Sequence, residues 1–170
     1  ILYENWELIT PCVREQLRDA DVAIVTSYCK DALPATDLVL DSRAIRVFYD
    51  LDTPVTLDRL NQGQTVEYLG PRGLQDFDWV LSYTGGPALD RLRDELGARR
   101  VAPMYGCVNP AAHQPGQPEP WLSADLTYLG TYAQDRQAAL DELFLKPAVM
   151  LPQRRFLIGG ALYPQSFPWS

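Results

Sequence analysis

The chain has 170 residues, 46% apolar and 22% charged, the composition of ordinary globular material with room for one good core and part of another. A formal net charge of −7, with the acids scattered, repels phosphate backbones and argues against a nucleic-acid or anionic-membrane surface. Cys12, Cys29 and Cys107 are odd in number and lack CxxC spacing, and a single histidine cannot complete a zinc pattern, so buried thiols in a reducing, cytoplasmic setting are expected. No stretch approaches the roughly 20 apolar residues of a membrane span. The start "ILYENWELIT" lacks the regions of a signal peptide, and the missing initiator methionine suggests an internal piece of a longer chain.

In chain order, "PCVREQLRDA" reads as a helix leading into an apolar strand, "DVAIVTS" (21–27). "IRVFYDLD" (45–52) is the second strand, followed by a helix over "TPVTLDRLNQ". "DWVLSYT" (78–84) is the third, followed by "PALDRLRDELG", where Leu89, Leu92 and Leu96 share a face, Pro87 suits the first turn and Gly97 the stop. "RRVAPMY" (99–105) is the fourth. Near-continuous apolarity predicts strands covered on both faces, and the alternation of strand and helix predicts a doubly wound, mainly parallel α/β sheet of Rossmann-like type. From 106 to 124, Pro110, Pro115, Pro118 and Pro120 deny helix and central strand, which makes a stiff linker. A second unit then begins with strand "DLTYLGTY" (125–132), helix "AQDRQAALDELF" (133–144) and strand "RRFLIGGAL" (154–162). The expected organisation is therefore a partial first domain over 1–105, a linker, and the beginning of a second Rossmann-like domain over 125–170.

Open α/β sheets bind ligands beyond the carboxyl ends of their strands. The residues there are Ser27-Tyr28, "DLDTP" (50–54), "SYTGG" (82–86), "MYGCV" (104–108) and, in the second unit, "GTYAQDR" (130–136). Gly85 and Gly86 allow positive φ and close approach of a ligand to the backbone, at a helix start rich in free N–H groups, but spacing alone favours a tight strand-to-helix turn whose hydroxyls cap the helix. Asp50 and Asp52 offer two carboxylates, although Asp52 or Thr53 before Pro54 is also a good helix cap. Arg136 sits in the first turn of its helix, where the dipole prefers an acid, and clamps an anion on one reading or pairs with Asp135 on the other. His113, in "NPAAHQP", reads as a surface residue of the linker.

The runs "RVFYDLDTPVTLDRL", "DWVLSYTGGPALDRLRDELGARRVAPMYGCVNPAAHQP" and "LTYLGTYAQDRQAALDELFLKPAVMLPQRRFLIGGALYP" together resemble bacterial glycosyltransferases of the CgeB, spore-maturation type, over most of residues 20–165. That family is similar to the GT-B architecture, in which two Rossmann-like domains face each other, one shaping the acceptor side and the other holding the sugar nucleotide, with chemistry in the cleft between them. The resemblance implies that 1–105 is the later part of the acceptor-side domain and 125–170 the start of the donor side, so that this piece alone is expected to be inactive. It further implies an acceptor against Tyr83, Thr84, Gly85, Gly86 and Tyr105, with Asp50, Asp52 or His113 as base or hydroxyl ligand. The leaving nucleoside diphosphate would lie near Gly130, Thr131, Tyr132 and Arg136 without a metal or other cofactor. Relatives tend to read Val-Asp-Pro where this chain has Val108-Asn109-Pro110, and their later acidic cluster has no counterpart. Pro147 is expected to kink or stop the helix that leads to Met150. Two alternatives remain open: a metal-dependent transferase using the Asp-x-Asp pair, and a binding module for a sugar or nucleotide that does no chemistry.

Overall fold

The structure, a computed structural model, describes residues 2–169. Ile1 and Ser170, the outer ends of the two expected domains, lie outside the described residues. The chain divides into two compact units, Ile1–Val108 and Asn109–Ser170, so the division falls three residues after Tyr105, inside the expected linker.

The first unit is a four-stranded parallel sheet in the order β1-β2-β3-β4, built from β1 (Val22–Thr26), β2 (Ile45–Asp50), β3 (Trp79–Ser82) and β4 (Val101–Pro103). Helices α1 (Trp6–Arg18), α2 (Ala32–Leu40), α3 (Thr53–Asn61) and α4 (Pro87–Asp94) alternate with the strands, giving the expected Rossmann-like α/β class. The helix read from Pro11 begins five residues earlier, because Asn5 Oδ1 accepts the N–H groups of Glu7 and Leu8. Pro11 therefore lies inside the helix, and the bond it cannot donate would have gone to the carbonyl of Glu7, on the exposed side where water serves. α2 carries no sequence expectation. Its run "ALPATDLVL" contains a proline and buries only Ala32 and Val39, two turns apart.

The core lies on one face of the sheet. Ala23 and Val25 of β1, Phe48 of β2 and Val80 of β3 pack there with Val39 of α2 and Leu92 of α4. Val66, Tyr68, Leu74 and Phe77 join them from the irregular stretch between α3 and β3, which no periodicity marks. Registered across the strands on the opposite face, Val22 and Ile24, Ile45 and Trp79 keep between 37% and 51% of their surface exposed. Val47, in register between Ile24 and Trp79, is only 5% exposed, so this second face is covered at its centre and open around it: continuous apolarity reports what the strands can bury, whereas the layers present decide what they do bury.

At the head of β3, Asp78 accepts the backbone N–H of Arg46 and the Nε and Nη2 donors of its guanidinium at 2.7–2.9 Å. These bonds hold the Asp78 carboxyl well below the usual carboxylate range. A depressed folded-state pKa means stability that is complete above the unfolded value, near pH 4, and is lost as pH falls through the folded one. Asp78→Asn is therefore expected to lower stability at pH 7 by about 1–2 kcal/mol, reduced from the full charged-bond value because the pair is a third exposed. The deficit should shrink toward pH 2, and urea midpoints at the two pH values measure it.

The second unit pairs β5 (Leu126–Leu129) with β6 (Phe156–Gly159) in parallel, the crossover being a helical segment, 134–150, designated α5. Leu140, Phe144 and Leu145 of α5 form its buried core against Tyr128, Phe156, Ile158, Phe167 and Trp169. Phe144 touches the rings of Tyr128, Phe156 and Trp169 with centroids 5.1–6.4 Å apart. α5 neither stops nor breaks at Pro147. It widens into a π turn over Asp141–Leu145, where Lys146 N–H reaches Asp141 O, and continues to Met150. The extra residue in that turn absorbs the carbonyl clash and the missing donor that proline brings to an α-helix. Before β5 the proline-rich stretch holds only a 3-10 turn, Pro120–Leu122.

Candidate functional site

The carboxyl ends of β1, β2 and β3 converge on a buried polar network. Asp50, the last residue of β2, is fully buried, and its Oδ1 accepts the Asp52 N–H at 3.2 Å and Thr56 Oγ1 at 3.1 Å. Thr56 Oγ1 also meets Tyr68 Oη at 2.8 Å. Thr53 Oγ1 lies 2.7 Å from Ser82 Oγ, which donates to Thr84 O and accepts Thr84 N–H; Ser27 Oγ accepts Leu51 N–H. Ser27, Asp50, Thr53, Thr56 and Ser82 all show 1% exposure or less. Among the described residues, Asp50 Oδ2 is the one buried side-chain oxygen or nitrogen without a partner.

This network divides the Asp-x-Asp pair. Asp50 ties the start of α3 to the end of β2 through Asp52 N–H and Thr56 Oγ1, while Asp52 occupies the N-cap position without a side-chain capping bond and stays half-buried at the loop surface. Among the described residues, no three histidine, cysteine or acidic side chains gather where they could hold a metal. In the neighbouring loop, Tyr28 has a φ of 62°, which puts a bulky residue in the left-handed region, and its ring packs on Tyr68 with centroids 5.5 Å apart. Burial, with the Asp52 carboxylate as the next cause, raises the Tyr28 phenol above its ordinary value. Tyr28 was placed among the loop residues by the sequence but given no role; its backbone conformation, invisible in the sequence, is what marks it.

The two glycines of "SYTGG" have separate reasons. Gly86 takes φ 66° and ψ −145°, a region open essentially to glycine alone, in order to start α4. Gly85 lies under the ring of Tyr105, whose Cζ would stand 3.2 Å from a Cβ added there. The relation is reciprocal, since Tyr83 lies against Gly106 with its ring 3.0 Å from the Cβ position. Tyr49 Oη donates to the Met104 carbonyl at 2.8 Å and ties the β4 end to β2. Tyr83, Thr84, Gly85, Gly86 and Tyr105 are thus brought together, with Tyr83 48% and Tyr105 63% exposed.

In the second unit, the ladder continues past the strands. Gly130 N–H donates to Gly159 O at 3.0 Å and Tyr132 N–H to Ala161 O at 2.8 Å, so neither is free for an anion. Tyr132 packs its ring against Tyr163 and Phe167. Thr131 and Arg136 are exposed, and Arg136 joins none of the ion pairs among the described residues, including none with Asp135. His113 is exposed in a turn closed by Asn109: its backbone N–H donates to Asn109 O, and its Nδ1 lies 3.2 Å from the same oxygen, donating in the Nδ1–H tautomer. Asn109 Oδ1 accepts Ala111 N–H, a role that asparagine and aspartate fill alike.

The fold and this edge define an α/β protein of Rossmann-like class with a loop-built polar and aromatic edge. No protein-family model, no curated protein and no solved structure matches the chain.

Proposed function

We propose that the protein is a glycosyltransferase acting on a nucleotide-sugar donor without a metal, as the resemblance to CgeB-type enzymes implies. The observation that best supports this reading is that Asp52, Tyr83, Thr84 and Tyr105 follow the neighbouring strands β2, β3 and β4 at the carboxyl end of a parallel sheet, where α/β folds bind ligands. Exposed tyrosine rings offer the apolar face and hydroxyl that a sugar ring needs. Within this proposal Asp52 is the base or hydroxyl ligand for the acceptor, since its carboxylate is at the surface while Asp50 is sealed and holds the loop. The nucleoside diphosphate would be met by Arg136 and Thr131, because the Gly130 and Tyr132 amides are committed to the ladder.

The test is nucleoside diphosphate release by the protein in its longest natural form, from UDP-, GDP-, ADP- and dTDP-sugars, with and without EDTA. Release from one donor, untouched by EDTA, is expected, and Arg136→Ala should lower it by about 100-fold. Wild-type donor affinity and turnover in Arg136→Ala would remove that residue from the site, and EDTA-sensitive release would replace the reading with the metal-dependent one. The commitment of the Gly130 and Tyr132 amides favours one competing reading, a module that binds a sugar or nucleotide without turnover. Donor binding with no release from any sugar, even after acceptors are supplied, would establish it.

A further inference from the structure

At the opposite end of the first unit, where the helices end and the strands begin, a cleft of about 470 Å³ is lined by Arg14, Leu17 and Arg18 of α1, Leu38 of α2, and Asp41, Ser42 and Arg43 of the loop into β2. Three of the chain's 15 basic residues meet here in a protein of net charge −7, with Asp41 the single carboxylate on the wall. None of the three arginines forms an ion pair or side-chain hydrogen bond among the described residues, whereas Arg46, Arg72, Arg91, Arg93 and Arg154 each have an acidic partner. Arg14 and Arg18 stand one turn apart on the same helix face, a spacing at which like charges repel. Stabilisation of a helix carboxyl terminus accounts for Arg18, in the last turn of α1, but not for Arg14 a turn earlier nor for Arg43 beyond the end of α2.

The loop that presents Arg43 is held in place. Ser42 Oγ donates to Val39 O at 2.7 Å and accepts Ala44 N–H at 3.3 Å, Asp41 N–H bonds to Asp37 O, and Ile45 N–H bonds to Asp21 O. Ala44 and Val39, on either side, are buried in the core. A fixed backbone beside three unpaired guanidinium groups loses little conformational freedom when an anion arrives. Arginine's planar fork matches the oxygens of a phosphate. Leu17 and Leu38 supply an apolar wall for whatever carries it.

We propose that this cleft binds a phosphate-class oxyanion, free or as a monoester. The site shares no residue with the proposed transferase machinery, so the two stand or fall separately. Inorganic phosphate and phenyl phosphate, titrated by calorimetry and by amide chemical shifts at low and moderate salt, are the probes. Binding in the millimolar range or tighter is expected, with shifts confined to 14–18 and 38–46, weakening as salt rises. Arg14→Gln with Arg43→Gln should weaken it by about 10-fold or more, while Arg93→Gln on α4 leaves it unchanged. Preference for phenyl phosphate assigns an esterified ligand, and equal affinity a free one. All three arginines are exposed, so the variants should fold; should the double variant fail, the single variants Arg14→Gln and Arg43→Gln decide. No binding at about 20 mM of either probe, or equal binding by the wild type and the double variant, overturns the proposal. Equal weakening by Arg93→Gln does the same, since it would show general charge screening rather than a site.

Discussion

Gly160→Ala is expected to unfold the second unit and leave the first intact. Gly160 has φ 140°, which L side chains rarely adopt, and a Cβ added there would fall onto the carbonyl oxygen and carbon of Gly130. Both contacts are backbone, so no side chain can swing away. The cause is the ladder itself: Gly130 N–H to Gly159 O and Tyr132 N–H to Ala161 O draw the two chains together just beyond the strands, and Tyr163 Oη donates to Gly130 O at 3.0 Å from the side. Backbone strain of this kind costs about 1–3 kcal/mol before any steric overlap is counted. A unit of this size, with three buried core residues from α5, holds on the order of 3–5 kcal/mol in all. The variant should therefore lose the dispersed amide resonances of 125–169 while those of 2–108 persist, and Gly116→Ala, with nothing within 4 Å, should change neither set. A Gly160→Ala protein with a full native spectrum would show that the two strand ends are farther apart than described.

The second large effect concerns Asp50 and separates its structural part from a chemical one. Asp50→Ala leaves Asp52 N–H without its acceptor and takes one of three partners from Thr56 Oγ1, which keeps Asp52 O and Tyr68 Oη. A donor left without its partner costs roughly 1–3 kcal/mol, so a loss of about 1–3 kcal/mol is expected from the shift of the urea midpoint. Asp50→Asn keeps the Oδ1 acceptor and removes a buried charge, which offsets the cost of placing amide N–H groups where the orphan Oδ2 stood, so its stability should stay within about 1 kcal/mol of wild type. In the proposed reaction Asp50→Asn should retain most turnover, whereas Asp52→Asn should lower it by about 100-fold or more. The reverse outcome, turnover lost with Asp50→Asn and kept with Asp52→Asn, would make the sealed carboxylate the reacting one and require the β2–α3 loop to open.

How far the site could be read from the sequence differs residue by residue. The edge itself was legible: apolar runs read as strands ending at Ser27, Asp52, Thr84 and Tyr105 stop within one or two residues of the ends at Thr26, Asp50, Ser82 and Pro103, and parallel topology puts those ends together. The different fates of Asp50 and Asp52 were not legible, because strand alternation puts residues two apart on one face, and only the end of β2 at Asp50 turns Asp52 away into the N-cap of α3. It is the packing of α3, with Thr56 and Leu57 buried, that seals Asp50. Likewise "TGG" announced a special backbone but not that Tyr105 lies on Gly85, a contact set by the register of β3 and β4. Pro147 announced a helix defect without showing that a π turn would absorb it. The core residues between α3 and β3 carried no period at all, being held by tertiary contacts alone.

Composition and the order of apolar runs by themselves determined an α/β protein in two units, because hydrophobic segments of strand and helix length, alternating with short connections, have few other ways to bury their surface. Tertiary structure alone decided which strand face is covered, which of two carboxylates meets solvent, and which three arginines share a cleft, since each depends on atoms distant in sequence that only packing brings within a few ångströms.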